Sequence, residues 1–195
     1  MSNEGTPLAD PEQEGKEPYF STFQLILLAI LSALIIVAKI ALRLPLRLPG
    51  HSGIFWLAIV IVAAGIVPRR GAASLVGLTS GIIAAFMGLG DFGTLNTFLS
   101  YLAVGIGVDL ALLLMGSPNL IAVAVLAAML GHLGKFLVKW VFGVITGAPI
   151  GFVTLGLAWS AGGYILWGGL GGLLGALTLT ALRKAGFFAY LAEKR

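Results

Sequence analysis

Two groups of basic side chains have a spacing that places each group on one face of an apolar helix. Lys39 and Arg43 are four residues apart near the end of the first apolar segment. His132, Lys135 and Lys139 show the same relation in a later segment, because residues three, four or seven apart share a helix face. Such groups bind carboxylates and phosphates through charge-assisted hydrogen bonds. The spacing therefore predicts a site for a small anion.

Other polar and aromatic residues fall near the same segment ends and are predicted to complete this site. Arg47 and His51 follow the first apolar segment, whereas Asp91 and Asn96 flank the connection between the third and the fourth. Aromatic rings offer stacking faces for a planar molecule, which favours a small, partly aromatic, anionic ligand over a neutral one. The predicted substrate-binding residues are Lys39, Arg43, Arg47, His51, Trp56, Asp91, Asn96, His132, Lys135, Lys139, Trp159 and Tyr164.

Several of these residues also have a simpler explanation. From inside a membrane, the long side chains of Arg47 and Lys139 can reach outer lipid headgroups. Asp91 suits an ordinary turn, and Trp159 suits an aromatic belt at the membrane interface. We favour a shared polar cavity open to the outside. An ionisable group at the centre of a transmembrane helix costs about 2.5–3.5 kcal/mol, so it usually faces a bundle interior or water.

Patterns that would indicate catalysis are missing from the sequence. The stretch Gly131–Phe136 lacks the spacing and the Ser or Thr of a phosphate-binding loop, and neither HExxH nor GxSxG occurs. His51 and His132 have no recognisable partners for a metal, and the chain has no cysteine. We therefore predict a binding protein that is not an enzyme and holds no catalytic residue, cofactor or metal.

The elements that carry these residues are predicted to be membrane helices. The chain has 195 residues, of which 58% are hydrophobic and only 10% are charged, a composition that excludes an ordinary soluble domain. Residues 1–18 differ because they are acidic, contain Pro and Gly, and have little to bury. We expect them to form a disordered cytoplasmic tail, and residues 19–195 to form one transmembrane domain. Nucleic acid is not an expected partner.

Pro, Gly and Arg divide this domain into six apolar segments, which predicts an all-α membrane protein built as a compact bundle of six transmembrane helices. A full span needs about 20 residues, so the short second and third segments are expected to be buried or tilted. Ser21 and Gln24 have the spacing of a capping box before the first helix. The segments are Phe23–Leu44, Gly53–Val67, Gly71–Met87, Leu95–Met115, Leu120–Ile145 and a sixth within Leu157–Leu182.

The distribution of Lys and Arg predicts that both chain ends are cytoplasmic. Arg69 and Arg70 then lie inside with Arg183 and Lys184, whereas the predicted binding site opens outside. Asp109 lies in the inner half of the fourth segment. It is predicted to be structural, with Arg69, Arg70 or a helix end as its partner.

Small residues mark two faces where helices can approach closely. In the sixth segment Gly168 and Gly172, and likewise Gly171 and Gly175, are four apart, which favours packing inside the bundle. A second small patch lies on the first segment. It either packs internally or docks a separate membrane subunit, and its predicted docking residues are Ala29, Ser32 and Ala33.

Three short motifs resemble those of a transporter family. They are Ala29-xxx-Ala33, the stretch Pro68–Leu75 (PRRGAASL), and Gly88-xx-Asp91-xx-Thr94. Together with six helices over about residues 20–190, they resemble the substrate-binding (S) component of an energy-coupling factor (ECF) transporter. The second and third motifs are similar to its hydroxymethylpyrimidine/thiamine-related branch, although the basic mouth departs from a thiamine-type pocket.

The resemblance implies a subunit of an ABC importer in a prokaryotic cell (inner) membrane. Such a subunit binds a vitamin or related micronutrient from outside and passes it to a transmembrane coupling subunit with two cytoplasmic ATPases. The resemblance also implies that residues 45–53 act as a lid. Two other classes stay open: a non-transporting structural subunit of an envelope assembly, and a small self-sufficient carrier. The sequence shows no repeat of the kind common in carriers.

Overall fold

The computed structural model describes residues 19–42, 48–90, 92–147 and 156–189. In these ranges the protein is helical, with six helices of 14 or more residues that match the six predicted segments to within about a turn at each end. They are α1 (Thr22–Ala41), α2 (Gly53–Ile66), α3 (Ala72–Phe86), α4 (Gly93–Met115), α5 (Ile121–Ile145) and α6 (Leu157–Lys184). The predicted acidic tail lies outside the described residues.

The helices differ in length in the way that the sequence predicts. Helices α1, α4, α5 and α6 contain 20 to 28 residues and are long and apolar enough to cross a membrane. Helices α2 and α3 contain only 14 and 15 residues. The all-α membrane class is therefore confirmed, with four long candidate spans and two shorter apolar helices. The cytoplasmic position of both chain ends stays a prediction.

Helix α2 forms the centre of the bundle. Its buried residues lie all round its axis, and Trp56, Leu57 and Ile61 are almost fully excluded from solvent. A helix that is apolar on every side lies either in a protein core or in a membrane, and burial on all sides places α2 in the core of this bundle. Helices α1, α3 and α6 pack directly against α2, while α4 packs between α3 and α5. This central position explains why α2 can be short.

Charged residues lie at the two opposite ends of this bundle. Lys39 ends α1 and His51 precedes α2, whereas Arg69 and Arg70 follow α2 at its other end. At that second end Arg183 donates to the Asn119 side chain just before α5. The cations predicted to lie inside and those predicted to line the outer site are therefore separated by the length of the bundle.

The Asp109 carboxylate joins two helices. It accepts hydrogen bonds from the backbone N–H groups of Ala73 at 3.3 Å and Ser74 at 2.7 Å, in the first turn of α3. These N–H groups have no partner within their own helix, and the helix N-terminus favours a negative charge. Of the partners predicted for Asp109, the helix end is the one that the structure shows.

The glycines of α6 form two stripes, one for each neighbouring helix. A Cβ atom at Gly172 would lie 2.7 Å from the Ala124 carbonyl oxygen of α5, and one at Gly175 would lie 2.9 Å from the Ala58 carbonyl oxygen of α2. Both stripes therefore serve packing within the bundle, because only a residue without a side chain allows the backbones to come this close.

The predicted docking patch on α1 is only partly at the surface. Ala29 and Ala33 are exposed, but Ser32 is completely buried and its hydroxyl donates to the Leu28 carbonyl at 2.8 Å. Including Ser32 in a docking surface was therefore wrong, because that side of α1 faces its own bundle. The exposed face of α1 carries Ala29 and Ala33 among larger apolar residues.

Two glycine substitutions in α6 test this packing. Gly172→Ala should lower the free energy of unfolding by about 1–3 kcal/mol, because the new methyl group meets α5 backbone that cannot move locally. Gly162→Ala is the matched control: apart from its own helix backbone, no atom of the described residues lies within 4 Å of its Cβ position, so a gain of about 0.5–1 kcal/mol is expected. Denaturant unfolding in detergent measures both changes, and equal losses would contradict the packing.

Candidate functional site

A cavity of about 520 Å³ opens at the end of the bundle that carries Lys39 and His51. Its volume lies in the range of roughly 300–1,000 Å³ that is usual for small-molecule sites. The walls come from α1, α4, α5 and α6 and from the segments before α2 and after α3. The structure thus joins six of the predicted residues in one lining: Lys39, His51, Asn96, Lys135, Lys139 and Tyr164.

Lys135 occupies the centre of this arrangement. It is only 4% exposed, and its Nζ atom lies 4.5 Å from the ring centre of Trp56 and 5.4 Å from that of Tyr101. The Nζ atom of Lys39 lies 5.4 Å from the same Tyr101 ring. A desolvated ammonium gains roughly 2 kcal/mol from an aromatic face. Two cations from different helices are therefore held around one aromatic surface.

The described part of the lining has basic but no acidic side chains. Lys39, Lys135 and Lys139 face the cavity together with the polar residues His51 and Asn96. Cations enclosed by low-dielectric walls attract negative ions more strongly than exposed cations do. The described lining therefore suits a carboxylate or a phosphate.

Aromatic side chains form a connected cluster below the cavity. The Trp56 and Tyr101 ring centres are 5.3 Å apart, and those of His132 and Tyr164 are 4.6 Å apart. The Trp56 and His132 rings meet edge to face at 5.7 Å. Tyr101 and Tyr164 also line the cavity as largely buried side chains, and Trp56 packs behind Tyr101.

His132 is a buried part of this cluster and not of the lining. Its side chain is fully excluded from solvent, and Nδ1 lies 2.9 Å from the Tyr164 carbonyl oxygen. A carbonyl oxygen only accepts, so Nδ1 carries the hydrogen and donates it to this bond. The residue therefore fixes α5 against α6 and orients the aromatic cluster.

Trp159 lies away from the cavity. It is 69% exposed and lines a small apolar cleft with Pro49 and Trp167. Trp159 and Tyr164 are five residues apart on α6, which rotates their side chains to different sides of the helix. The structure does not place Trp159 in the cavity lining with Tyr164, and its contact with a ligand stays a prediction. Three other predicted residues lie outside the described part of the chain: Arg43, Arg47 and Asp91.

A polar face on α4 is the part of the site that was not predicted from the sequence. Beside Asn96, the cavity is lined by Thr97, Ser100 and Tyr101. The spacing of these four residues in an apolar helix was a visible signal, because residues four apart share a helix face, as Asn96 does with Ser100 and Thr97 with Tyr101. Thr97 donates to the Gly93 carbonyl at 2.8 Å, which satisfies its hydroxyl group.

The segment before α2 rests directly on the backbone of α6. A Cβ atom at Gly163 would lie 2.5 Å from the Pro49 carbonyl oxygen, and one at Gly50 would lie 3.0 Å from Tyr164 Cα. Gly50 also has φ +80°, a conformation that favours glycine. These contacts place Pro49 and Gly50 at the rim of the cavity. The lid predicted from the family resemblance lies partly outside the described residues.

No protein-family model, curated protein or solved structure matches this chain.

A double-mutant cycle tests how His132 is held. A Cβ atom at Gly53 would lie 2.7 Å from His132 Nε2, so Gly53→Ala should lower the free energy of unfolding by about 1–3 kcal/mol. In a His132→Ala background the same change should cost less than about 0.5 kcal/mol, because the clash is gone. Thermal unfolding in detergent gives both values. The same cost in both backgrounds would show that the loss of stability does not come from a clash with the His132 ring.

Proposed function

We propose that this protein is the membrane-embedded substrate-binding subunit of an ECF-type ABC importer. It captures a vitamin or related micronutrient that is small, partly aromatic and anionic, and passes it to a transmembrane coupling subunit with two cytoplasmic ATPases. The observation that carries the proposal is the cavity in which Lys39 and Lys135 share the ring of Tyr101.

The charge of the ligand follows from the lining. Its lysines come from two helices, and Lys135 is almost fully buried. Charge-assisted hydrogen bonds to a desolvated anion are worth about 1.5–3 kcal/mol each. An anion that contacts both Lys39 and Lys135 would therefore gain most of its affinity here, and the tyrosine faces add stacking for a planar ring.

The dependence on partners follows from what the chain contains. Its sequence has no phosphate-binding loop with which to use ATP. Helix α1 packs on α2 and α3 only through one side, and its other side presents Ala29 and Ala33. Small residues four apart allow another membrane helix to approach closely. The family motifs around Ala29, Arg69 and Gly88 support the same assignment and a prokaryotic cell membrane.

Purification of the tagged protein from its native membranes, followed by mass spectrometry, tests the proposal. We expect a membrane partner, two ATPases and a small anionic ring compound to be retained. Retention of envelope-building proteins without a small molecule would support a structural subunit instead. Uptake of the retained compound by the protein alone in liposomes would support a self-sufficient carrier. Either of these two results would overturn the proposal.

Removal of either lysine charge should weaken anion binding. Lys39→Met and Lys135→Met keep the length of the side chain but remove its charge, so each should raise the Kd for naphthalene carboxylate about tenfold or more. Added salt should weaken binding to the wild type. Arg70→Gln, at the opposite end of the bundle, is the control and should leave Kd unchanged. If all three variants bind like the wild type, the lysines do not hold the anion.

Two neighbouring substitutions on α1 test the docking face. Ala33→Phe adds bulk to an exposed position, so the protein should fold and bind naphthalene carboxylate but lose the coupling subunit. Ser32→Phe adds the same bulk to a fully buried position, where overpacking costs about 1–3 kcal/mol or more, and should reduce thermal stability. Co-purification and thermal unfolding distinguish them. A normal amount of partner with Ala33→Phe would show that α1 is not the docking face.

A further inference from the structure

Asn96 is the polar residue of the cavity lining whose chemistry the anionic ligand does not explain. Its side chain is only 1% exposed, and neither its amide nitrogen nor its amide oxygen has a hydrogen-bond partner in the described structure. Each buried polar atom without a partner is unfavourable. The amide is therefore placed to accept a partner that the described part of the chain does not supply.

The geometry of an amide restricts what that partner can be. Its N–H donor and its C=O acceptor lie side by side in one plane. A group that satisfies both at once must present an acceptor beside a donor, as an adenine base does to asparagine in DNA. Exchanging the nitrogen and oxygen positions only reverses the order of the pair.

We propose that Asn96 forms two hydrogen bonds with a lactam edge, an N–H next to a C=O, on the ring of the ligand. The inference rests on the proposed function and narrows its substrate class to planar oxo-heterocycles that carry a carboxylate or phosphate. Lys39 and Lys135 hold the anionic group, while the lactam edge of the ring faces α4.

The neighbouring residues of α4 are consistent with this assignment. Ser100 lies one turn after Asn96 and also lines the cavity, and its hydroxyl has no hydrogen-bond partner among the described residues. The same holds for the hydroxyl of Tyr101, whose ring is the one that the two lysines approach. One helix face thus brings unsatisfied donors and acceptors next to the cations.

The amide is covered in the structure, so ligand binding requires a local movement. The segment that follows α3 lies over the start of α4, where Gly90 is in direct contact with Thr97. Rotation of the Asn96 side chain, or a shift of residues 88–90, would expose the amide to the cavity. Loop shifts take nanoseconds to microseconds, so a shift of residues 88–90 does not prevent binding.

Three related probes test the lactam edge on the purified full-length protein. They are a quinazolinone carboxylate with an N–H beside its C=O, the same molecule methylated at that nitrogen, and naphthalene carboxylate without the edge. Calorimetry should show the N–H compound binding about 10- to 100-fold tighter than the methylated one. In Asn96→Leu this preference should disappear, while naphthalene carboxylate binds as before. Asn119→Leu, the same change at the opposite end of the bundle, is the control and should keep the preference.

Each outcome has a defined meaning. Equal affinity for the N–H and N-methyl compounds in the wild type overturns the lactam assignment, and so does a preference that survives Asn96→Leu. In both cases the anion site itself stands if naphthalene carboxylate binds. If no probe binds, the proposed function fails together with this inference. The comparison of the N–H and N-methyl compounds in the wild type needs no variant, so it tests the lactam assignment even if Asn96→Leu does not fold.

Discussion

The structure depends on the burial of one ammonium group among aromatic rings. Lys135 is 4% exposed and lies against the faces of Trp56 and Tyr101. A cation within a membrane bundle is costly unless polar or aromatic groups surround it. Helix α2 supplies Trp56, α4 supplies Tyr101 and α5 supplies Lys135, so the three helices must meet at one level. Formation of the site therefore requires that the whole bundle packs in one arrangement.

Glycine allows the helices to meet at that level. A Cβ atom at Gly107 would lie 2.8 Å from Gly131 Cα, and one at Gly77 would lie 2.6 Å from the Tyr101 carbonyl oxygen. Helices α3, α4 and α5 are therefore in backbone contact near the residues that form the site. Close contact between backbones leaves little freedom for helix rotation, so the direction in which Tyr101 and Lys135 point is fixed.

The number and the ends of the helices could be predicted because Pro, Gly and Arg interrupt a nearly continuous apolar sequence. The meeting of Lys39 with Lys135 was also predictable, since successive helices alternate in direction and both residues fall at the same end.

The direction in which each side chain faces was harder to predict. In a membrane protein the lipid-facing and core-facing sides of a helix are both apolar, so nothing in the sequence showed that Ser32 is buried and Trp159 is exposed. The polar face around Ser100 could be recognised from the spacing of its residues in the sequence. Only the structure shows that residues of other helices surround this face and complete a cavity.

Trp56 can report on the central claim directly because it lies beneath Lys135. With Trp140, Trp159 and Trp167 replaced by Phe, Trp56 is the last of the four tryptophans, and its fluorescence follows events at the cavity floor. Titration with naphthalene carboxylate should change this fluorescence with saturation, and the Kd should rise with salt. Titration with naphthalene methanol, a neutral molecule of the same shape, should produce at most a weak change. An equal response to both molecules, or none to the carboxylate, would contradict an anion site at Lys135.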